Sequence, residues 1–109
     1  MINVTIRRGQ DGKIERFRVE GHAYYDDPGK DIVCAGVSAV TVGTVNAIEA
    51  LLGLELKTRV ENGFLQADIP SGNRDPDGKV QLLLESMVVM LQSIEQSYGA
   101  YIAISNTHH

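Results

Sequence analysis

Cysteine and basic side chains are scarce in this sequence, and each of these two shortages excludes a class of protein. The 109 residues contain one cysteine and no tryptophan. A single cysteine rules out an intrachain disulfide framework and indicates a reducing compartment. The sequence has no P-loop, Gly-x-Gly-x-x-Gly or Cys-x-x-Cys motif. One cysteine and one histidine away from the C-terminus cannot build a zinc site of the usual kind, so we predict no metal and no other cofactor.

Positive charge is also in short supply. Ten Lys and Arg residues stand against 14 Asp and Glu residues, which gives a net charge of -4 at pH 7. Non-specific nucleic-acid binding needs a clustered basic surface, so we predict no direct nucleic-acid contact. Met1 leads directly into an alternating strand pattern without a basic and apolar leader. We therefore expect no signal peptide.

One apolar stretch, residues 32–54, has about the length of a membrane-spanning helix and contains a single charge, Glu49. It is rich in Ala, Gly, Ser and Thr, and no Lys/Arg cluster flanks it closely. We interpret it as a helix buried on most sides inside a soluble protein, without membrane contact.

The periodicity of apolar residues predicts the element order ββαββαβ. Residues spaced by two predict strands at 2–7, 13–20, 54–60, 65–69 and 101–104, and residues at helical spacing predict helices at 32–52 and 76–98. Asp31 and Asp75 are the predicted N-caps, and Gly53 and Gly99 the predicted helix ends. We predict an α/β (α+β) fold in which two helices form a two-layer sandwich with a mainly antiparallel sheet, and residues 1–109 form a single domain.

The candidate chemistry lies in residues 21–38, which contain both Cys34 and His22. As the third residue of a helix capped by Asp31, Cys34 would lie near the N–H groups and the positive end of the helix dipole. That environment favours a thiolate nucleophile. The alternative is a buried cysteine that serves as a small hydrophobic side chain, the commoner role of a lone cysteine.

His22 is the candidate base, because a cysteine and a histidine within hydrogen-bond reach are the minimum for thiol catalysis. The alternative is an ordinary exposed loop histidine. Three aspartates are candidates to orient the ring: Asp26, Asp27 and Asp31. For Asp31 we favour the N-cap role. Ser38, one turn after Cys34, either hydrogen-bonds within the site or bonds back to the Cys34 carbonyl.

Residues 22–30 are a predicted loop that Pro28 and Gly29 interrupt. Tyr24 and Tyr25 would either cover a substrate or pack on the sheet. With little other apolar material to anchor it, the loop is expected to be mobile without substrate.

Gly21-His22-Ala23, then Gly29, the run 31–35 and Val37-Ser38 together resemble the signature of the ribosomal-processing cysteine protease family, Prp. The resemblance covers essentially the whole chain. It implies a cytoplasmic, homodimeric cysteine endopeptidase that removes the N-terminal extension of a bacterial large-subunit ribosomal protein by cleavage after Phe, and so supports ribosome assembly. The catalytic dyad maps onto His22 and Cys34, and we expect support from Gly21, Asp31 and Ser38. The family's covering loop maps onto Ala23, Tyr24, Tyr25, Asp26, Asp27, Pro28, Gly29 and Lys30.

Two other functions remain open beside the protease that the resemblance implies. An acidic domain can act as a non-catalytic binding module that holds a basic ribosomal protein. The other is a thiol-based redox or acyl-transfer enzyme, and its redox version is disfavoured because no second cysteine can resolve an oxidised Cys34. The first helix carries more apolar surface than a two-layer monomer can cover, together with a ridge of small residues, which predicts a homodimer. The ridge consists of Gly36, Gly43, Ala47 and Ala50.

Overall fold

The computed structural model describes residues 1–27, 29–72 and 75–108. Its elements are β1 (Ile2–Arg8), β2 (Ile14–Glu20), α1 (Ile32–Leu52), β3 (Lys57–Glu61), β4 (Phe64–Asp68), α2 (Lys79–Tyr98) and β5 (Ile102–His108). The sheet order is β3-β4-β2-β1-β5. β1 and β5 pair in parallel, and the other three pairs are antiparallel. The predicted fold class and element order are confirmed.

The sheet buries one face because its apolar residues alternate. Ile2, Val4 and Ile6 of β1 are almost fully buried. The register between β1 and β2 shifts between Arg7 and Arg8. Both Ile14 and Phe17 are buried, although their spacing of three does not match the period of two of a regular strand. Burial of each large side chain contributes about 1.5–3 kcal/mol relative to exposure, so these residues fix which face meets the helices.

The helix α1 begins and ends where the sequence predicts. Asp31 is its N-cap, and Gly53 follows its last residue in the left-handed conformation with φ 67°. Its buried residues form one stripe: Val33, Val37, Thr41, Thr44 and Ile48. The prediction of a helix buried on most sides is therefore wrong within this chain. By length and composition α1 could also cross a membrane, but here its buried stripe faces the core.

Several other boundaries differ from prediction. α2 begins at Lys79 rather than Pro76, because Gly78 precedes it in the left-handed conformation with φ 70°. The Asp75 carboxylate still accepts hydrogen bonds from two N–H groups of the first turn, those of residues 80 and 81. β3 starts at Lys57 rather than residue 54, and β5 extends beyond residue 104 because it pairs with the whole of β1.

Two ion pairs connect elements of the sandwich. Glu85 of α2 accepts two hydrogen bonds of 2.7 Å from Arg8 of β1, and these lower the pKa of the Glu85 carboxyl. Asp68 of β4 accepts a 2.6 Å hydrogen bond from Arg16 of β2. Burial raises the pKa of Asp68, but hydrogen bonds from Arg16 and Gln66 outweigh it, so the net pKa is lowered.

Candidate active site

Asp31 connects the start of α1 to the preceding loop. Its Oδ1 accepts hydrogen bonds of 3.0 Å from the N–H groups of Val33 and Cys34. Its Oδ2 accepts from the N–H groups of Tyr25 at 2.9 Å and Asp26 at 3.3 Å. Burial raises the pKa of this carboxyl, but the four hydrogen bonds together lower it below its usual value. One ionised carboxylate therefore starts the helix and holds the loop against it.

Cys34 occupies the third position of α1, as predicted, and is partly buried. The backbone N–H of Ala23 donates a hydrogen bond to its Sγ at 3.3 Å. The side chain packs against the core, and the residue also lines a surface cleft. Cys34 is therefore packed against the core on one side and accessible to a ligand in the cleft on the other.

His22 follows the end of β2 and lies against the turn between β3 and β4. A Cβ added to Gly63 would lie 2.6 Å from the His22 Nε2. The Gly21 N–H donates to the Gly63 carbonyl at 2.8 Å, which fixes the strand end to the same turn. Gly21 has φ +92°, and a side chain there would meet the Met1 carbonyl. The absence of a side chain at Gly21 and Gly63 therefore allows His22 to occupy this position.

The cleft beside Cys34 has a volume of about 610 Å³. It is lined by His22, Tyr24, Asp26, Gly29, Asp31, Cys34, Ala35, Ser38 and Asn62. Among the predicted loop residues, Ala23, Tyr25, Asp27 and Lys30 do not line it, and Pro28 lies outside the described residues. Ala35 and Asn62 line the cleft but are not among the site residues predicted from the sequence. The hairpin signal at 62–63 could have found Asn62, because β4 pairs with β2 and brings that turn beside His22.

The three aspartates do not orient His22. The carboxylate of Asp31 is occupied by backbone N–H groups, and that of Asp26 accepts from the N–H of Asp27 at 2.7 Å. In the described part of the chain, no hydrogen bond joins the His22 ring to another residue. The ring is instead positioned by packing against Gly63, with Tyr24 at 5.9 Å between ring centroids.

Ser38 lies on the cleft wall with an exposed side chain. Thr41 and Thr44 donate back to carbonyls one turn earlier in α1, at 2.8 and 2.6 Å. Ser38 has no such bond within the residues that the structure describes, so the alternative of a bond to the Cys34 carbonyl is not observed. Its hydroxyl is available to a ligand in the cleft.

The two loop tyrosines have different environments. The ring of Tyr25 packs edge-on against Tyr98 at 5.7 Å and Tyr101 at 5.1 Å between centroids. Tyr24 is 77% exposed and adopts φ +55°, which is uncommon for a residue with a side chain. Tyr25 therefore attaches the loop to the end of α2, while Tyr24 is free to contact a ligand.

The cleft offers a thiol, an imidazole and hydrogen-bond donors, which are the groups needed for acyl transfer. Across residues 1–27, 29–72 and 75–108, no three His, Cys, Asp or Glu side chains are grouped so that they could hold a metal ion.

Comparison with known proteins places this arrangement in a family. The family model described as Cysteine protease Prp matches residues 1–103. The ribosomal processing cysteine protease Prp of Bacillus subtilis (strain 168) is 43% identical over 102 residues, which cover 90% of each protein.

Two crystal structures of the ribosomal processing protease Prp from S. aureus have the same fold. One, in complex with a covalently linked product peptide, has a TM-score of 0.89 and 36% identity, and the match covers 98% of this chain and 100% of that one. The other, in complex with a substrate peptide, has a TM-score of 0.85, 35% identity and the same coverage. Family model, sequence identity and fold agree over nearly the full length, and the chain therefore belongs to the Prp family of cysteine proteases.

Proposed function

We propose that this protein is an endopeptidase that uses Cys34 as nucleophile and His22 as base to remove the N-terminal extension of a bacterial large-subunit ribosomal protein. The observation that carries the proposal is that the only cysteine and the histidine at the end of β2 line the same cleft. Membership of a cysteine protease family supports the assignment of roles.

The reaction follows from the chemistry of the two side chains. His22 takes the thiol proton, and Cys34 Sγ attacks the carbonyl carbon of the scissile peptide bond to form a C–S bond. When the tetrahedral intermediate collapses, the C–N bond breaks and His22 gives its proton to the leaving amine. Water then attacks the thioester, which releases the carboxylic acid and restores the thiol.

The shape and charge of the cleft support a basic peptide with an aromatic residue before the cut. Asp26 lines the cleft, and Asp27 is exposed beside it. These two carboxylates favour a positively charged partner, as expected for a ribosomal protein. Tyr24 and the small Ala35 offer an aromatic face and open space near Cys34. We propose that a phenylalanine side chain occupies this region when the bond after it is cut.

Digestion of a purified ribosomal-protein precursor, followed by mass spectrometry, tests the proposal. We expect one truncated product with the wild type and none with Cys34→Ala, which should still bind the precursor. Complex formation without truncation by the wild type would contradict the proposal and favour the binding-module alternative. Truncation by Cys34→Ala in a protease-free preparation would contradict the role of Cys34.

We also propose that the protein is a cytoplasmic homodimer. A groove of about 290 Å³ runs between α1 and α2 and includes Gly43 and Met90. Met90, which lines this groove, is 41% exposed, and three other large apolar side chains on the two helices are exposed as well: Val42, Leu82 and Val89. Exposed apolar side chains on these helices favour an interaction site, and the small Gly43 lets a second helix approach closely. Light scattering at micromolar concentration should give twice the monomer mass.

A further inference from the structure

The backbone N–H of Ala23 lies beside the sulfur of Cys34. The donor is therefore a main-chain group and not a side chain. It donates to Cys34 Sγ at 3.3 Å. Ala23 itself is only 4% exposed, so water competes little for this N–H group. Donors in such sheltered positions stabilise developing charge more strongly than donors in water.

The N–H groups at the start of α1, which the position of Cys34 would suggest for an oxyanion, are already engaged. Those of Val33 and Cys34 donate to Asp31 Oδ1 at 3.0 Å, and that of Ala35 donates to the Asp31 carbonyl at 3.0 Å. A tetrahedral intermediate on Cys34 would have to break the helix cap to use them. The Ala23 N–H needs no such rearrangement, since it already points at the attacking atom.

The direction of the Ala23 N–H is fixed from both sides. Two residues before it, the Gly21 N–H bonds to the Gly63 carbonyl at 2.8 Å. Two residues after it, the Tyr25 N–H bonds to Asp31 Oδ2 at 2.9 Å. A donor held in place before the reaction costs no reorganisation when charge develops.

Building on the proposed protease function, we propose that the Ala23 N–H is a catalytic group that hydrogen-bonds the Cys34 sulfur in the free enzyme and the substrate oxyanion in the tetrahedral intermediate. When the C–S bond forms, the carbonyl π electrons move to oxygen, which stays within one bond of the carbon attached to Sγ. The hydrogen bond passes from sulfur to that oxygen and returns to sulfur when the thioester is hydrolysed. The loop at residue 23 thus takes part in the chemistry as well as covering the substrate.

Replacement of one amide by an ester tests this role without changing any side chain. Because Cys34 is the only cysteine, a synthetic segment 1–33 can be ligated to an expressed segment 34–109 at its native residue. L-lactic acid in place of Ala23 removes the N–H and keeps the methyl group. Glycolic acid in place of Gly12, whose N–H bonds to Gly9 in the distant β1–β2 turn, is the matched control.

We expect the Ala23 ester to lower kcat by about 10²–10³-fold, the usual effect of losing one oxyanion donor, with KM changed less than threefold. The Gly12 ester should cleave as the wild type does. A kcat for the Ala23 ester within twofold of the Gly12 ester would overturn the proposal.

A second measurement uses the intact protein and does not depend on turnover. A peptide aldehyde ending in phenylalaninal forms a thiohemiacetal with Cys34 Sγ, and the Ala23 amide proton should move downfield in the NMR spectrum while that of Gly12 stays in place. An unmoved Ala23 amide in the adduct would overturn the proposal. Failure of the ligated wild-type chain to cut the precursor, with the aldehyde shift present, would instead overturn only the proposed substrate.

Discussion

The imidazole of His22 lies so close to Gly63 that a Cβ on the glycine would stand 2.6 Å from Nε2. We therefore predict that Gly63→Ala displaces the histidine from Cys34. Misplacement of a catalytic group by about 1 Å can cost about 10²-fold in rate, and we expect kcat to fall by that order. Steady-state kinetics on the precursor peptide measure the effect.

Gly53→Ala is the matched control for this substitution. Gly53 has φ +67°, Gly63 has φ +69°, and a Cβ on Gly53 meets nothing within 4 Å. Both substitutions should lower the free energy of unfolding by about 1–2 kcal/mol, because both force alanine into the left-handed region. Only Gly63→Ala should lose activity. Equal loss of kcat in the two variants would show that backbone strain, not the position of His22, is responsible.

Asp31→Asn should make the loop and the protein less stable at neutral pH, since an amide cannot accept hydrogen bonds on both sides as the carboxylate does. The pKa of Asp31 is lowered in the folded protein. Its ionised form therefore stabilises folding above the unfolded pKa of about 3.9, and this contribution disappears as pH falls through the lower, folded value. The difference in unfolding free energy between wild type and Asp31→Asn should shrink below about pH 4.

Urea unfolding between pH 7 and pH 2.5 measures that difference. Glu85 and Asp68 also have lowered pKa values, so the wild type as a whole loses stability in acid. Subtraction of the Asp31→Asn curve isolates the part due to Asp31. Asp27→Asn, which changes an exposed carboxylate nearby, should follow the wild-type curve. A wild-type-to-Asp31→Asn difference that does not vary with pH would contradict the prediction.

Tyr25→Ala should release the loop, because its ring contacts Tyr98 and Tyr101. Aromatic pairs contribute about 0.5–1.5 kcal/mol each beyond their buried area. Since 1.4 kcal/mol corresponds to a factor of ten, we expect KM to rise by about tenfold as the loop must be ordered on binding. Hydrogen exchange should show faster exchange at the amides of residues 25 and 26.

Tyr24→Ala is the control for the loop, because Tyr24 is 77% exposed. It should leave hydrogen exchange at residues 25 and 26 unchanged, and any loss of activity would report contact with substrate. Unchanged exchange in Tyr25→Ala would mean that Asp31 alone holds the loop, and the prediction would be wrong.

The substitution Gly43→Ala has different expected effects in a monomer and in the proposed dimer, and so distinguishes between them. A Cβ at Gly43 meets nothing within 4 Å, so in a monomer the substitution should stabilise α1 by about 1 kcal/mol. In a dimer that packs helices closely at this position, the added methyl should weaken association. We expect light scattering to show a higher monomer fraction for Gly43→Ala at low micromolar concentration. A more stable protein with unchanged mass would contradict an interface at Gly43.

The sequence predicted the elements of this fold because their signals are local. Alternation located the strands, and Asp31 and Gly53 marked both ends of α1 correctly. The start of α2 was missed because Pro76 and Asp75 are good helix-start residues, whereas Gly78 in the left-handed conformation delays the helix. The length of β5 was missed because its polar second half is held by parallel pairing with β1, a contact that no local pattern reveals.

The candidate site was predicted in part for the same reason. Cys34 and its cap lie in one short segment, and His22 ends the strand before it. The contribution of the 62–63 turn depends on β4 pairing with β2, so it appears only in the folded sheet. The separate roles of Tyr24 and Tyr25 could not be inferred either, since two adjacent tyrosines look equivalent until the end of α2 is placed beside one of them.

The parallel pairing of β1 with β5 has a consequence for the order in which the loop becomes attached. Ile2 pairs with Ile102, and the Ile2 N–H bonds to the carbonyl of Tyr101, the residue that also holds the loop through Tyr25. During synthesis, the segment that carries Cys34 leaves the ribosome long before these partners do. Because contacts between distant parts of a chain form late, on a nascent chain the loop lacks its attachment through Tyr25 until the region around residue 101 has emerged, although the nearby Asp31 can already bind it. We therefore expect the loop to gain its attachment to Tyr101 only in a chain that already includes that residue.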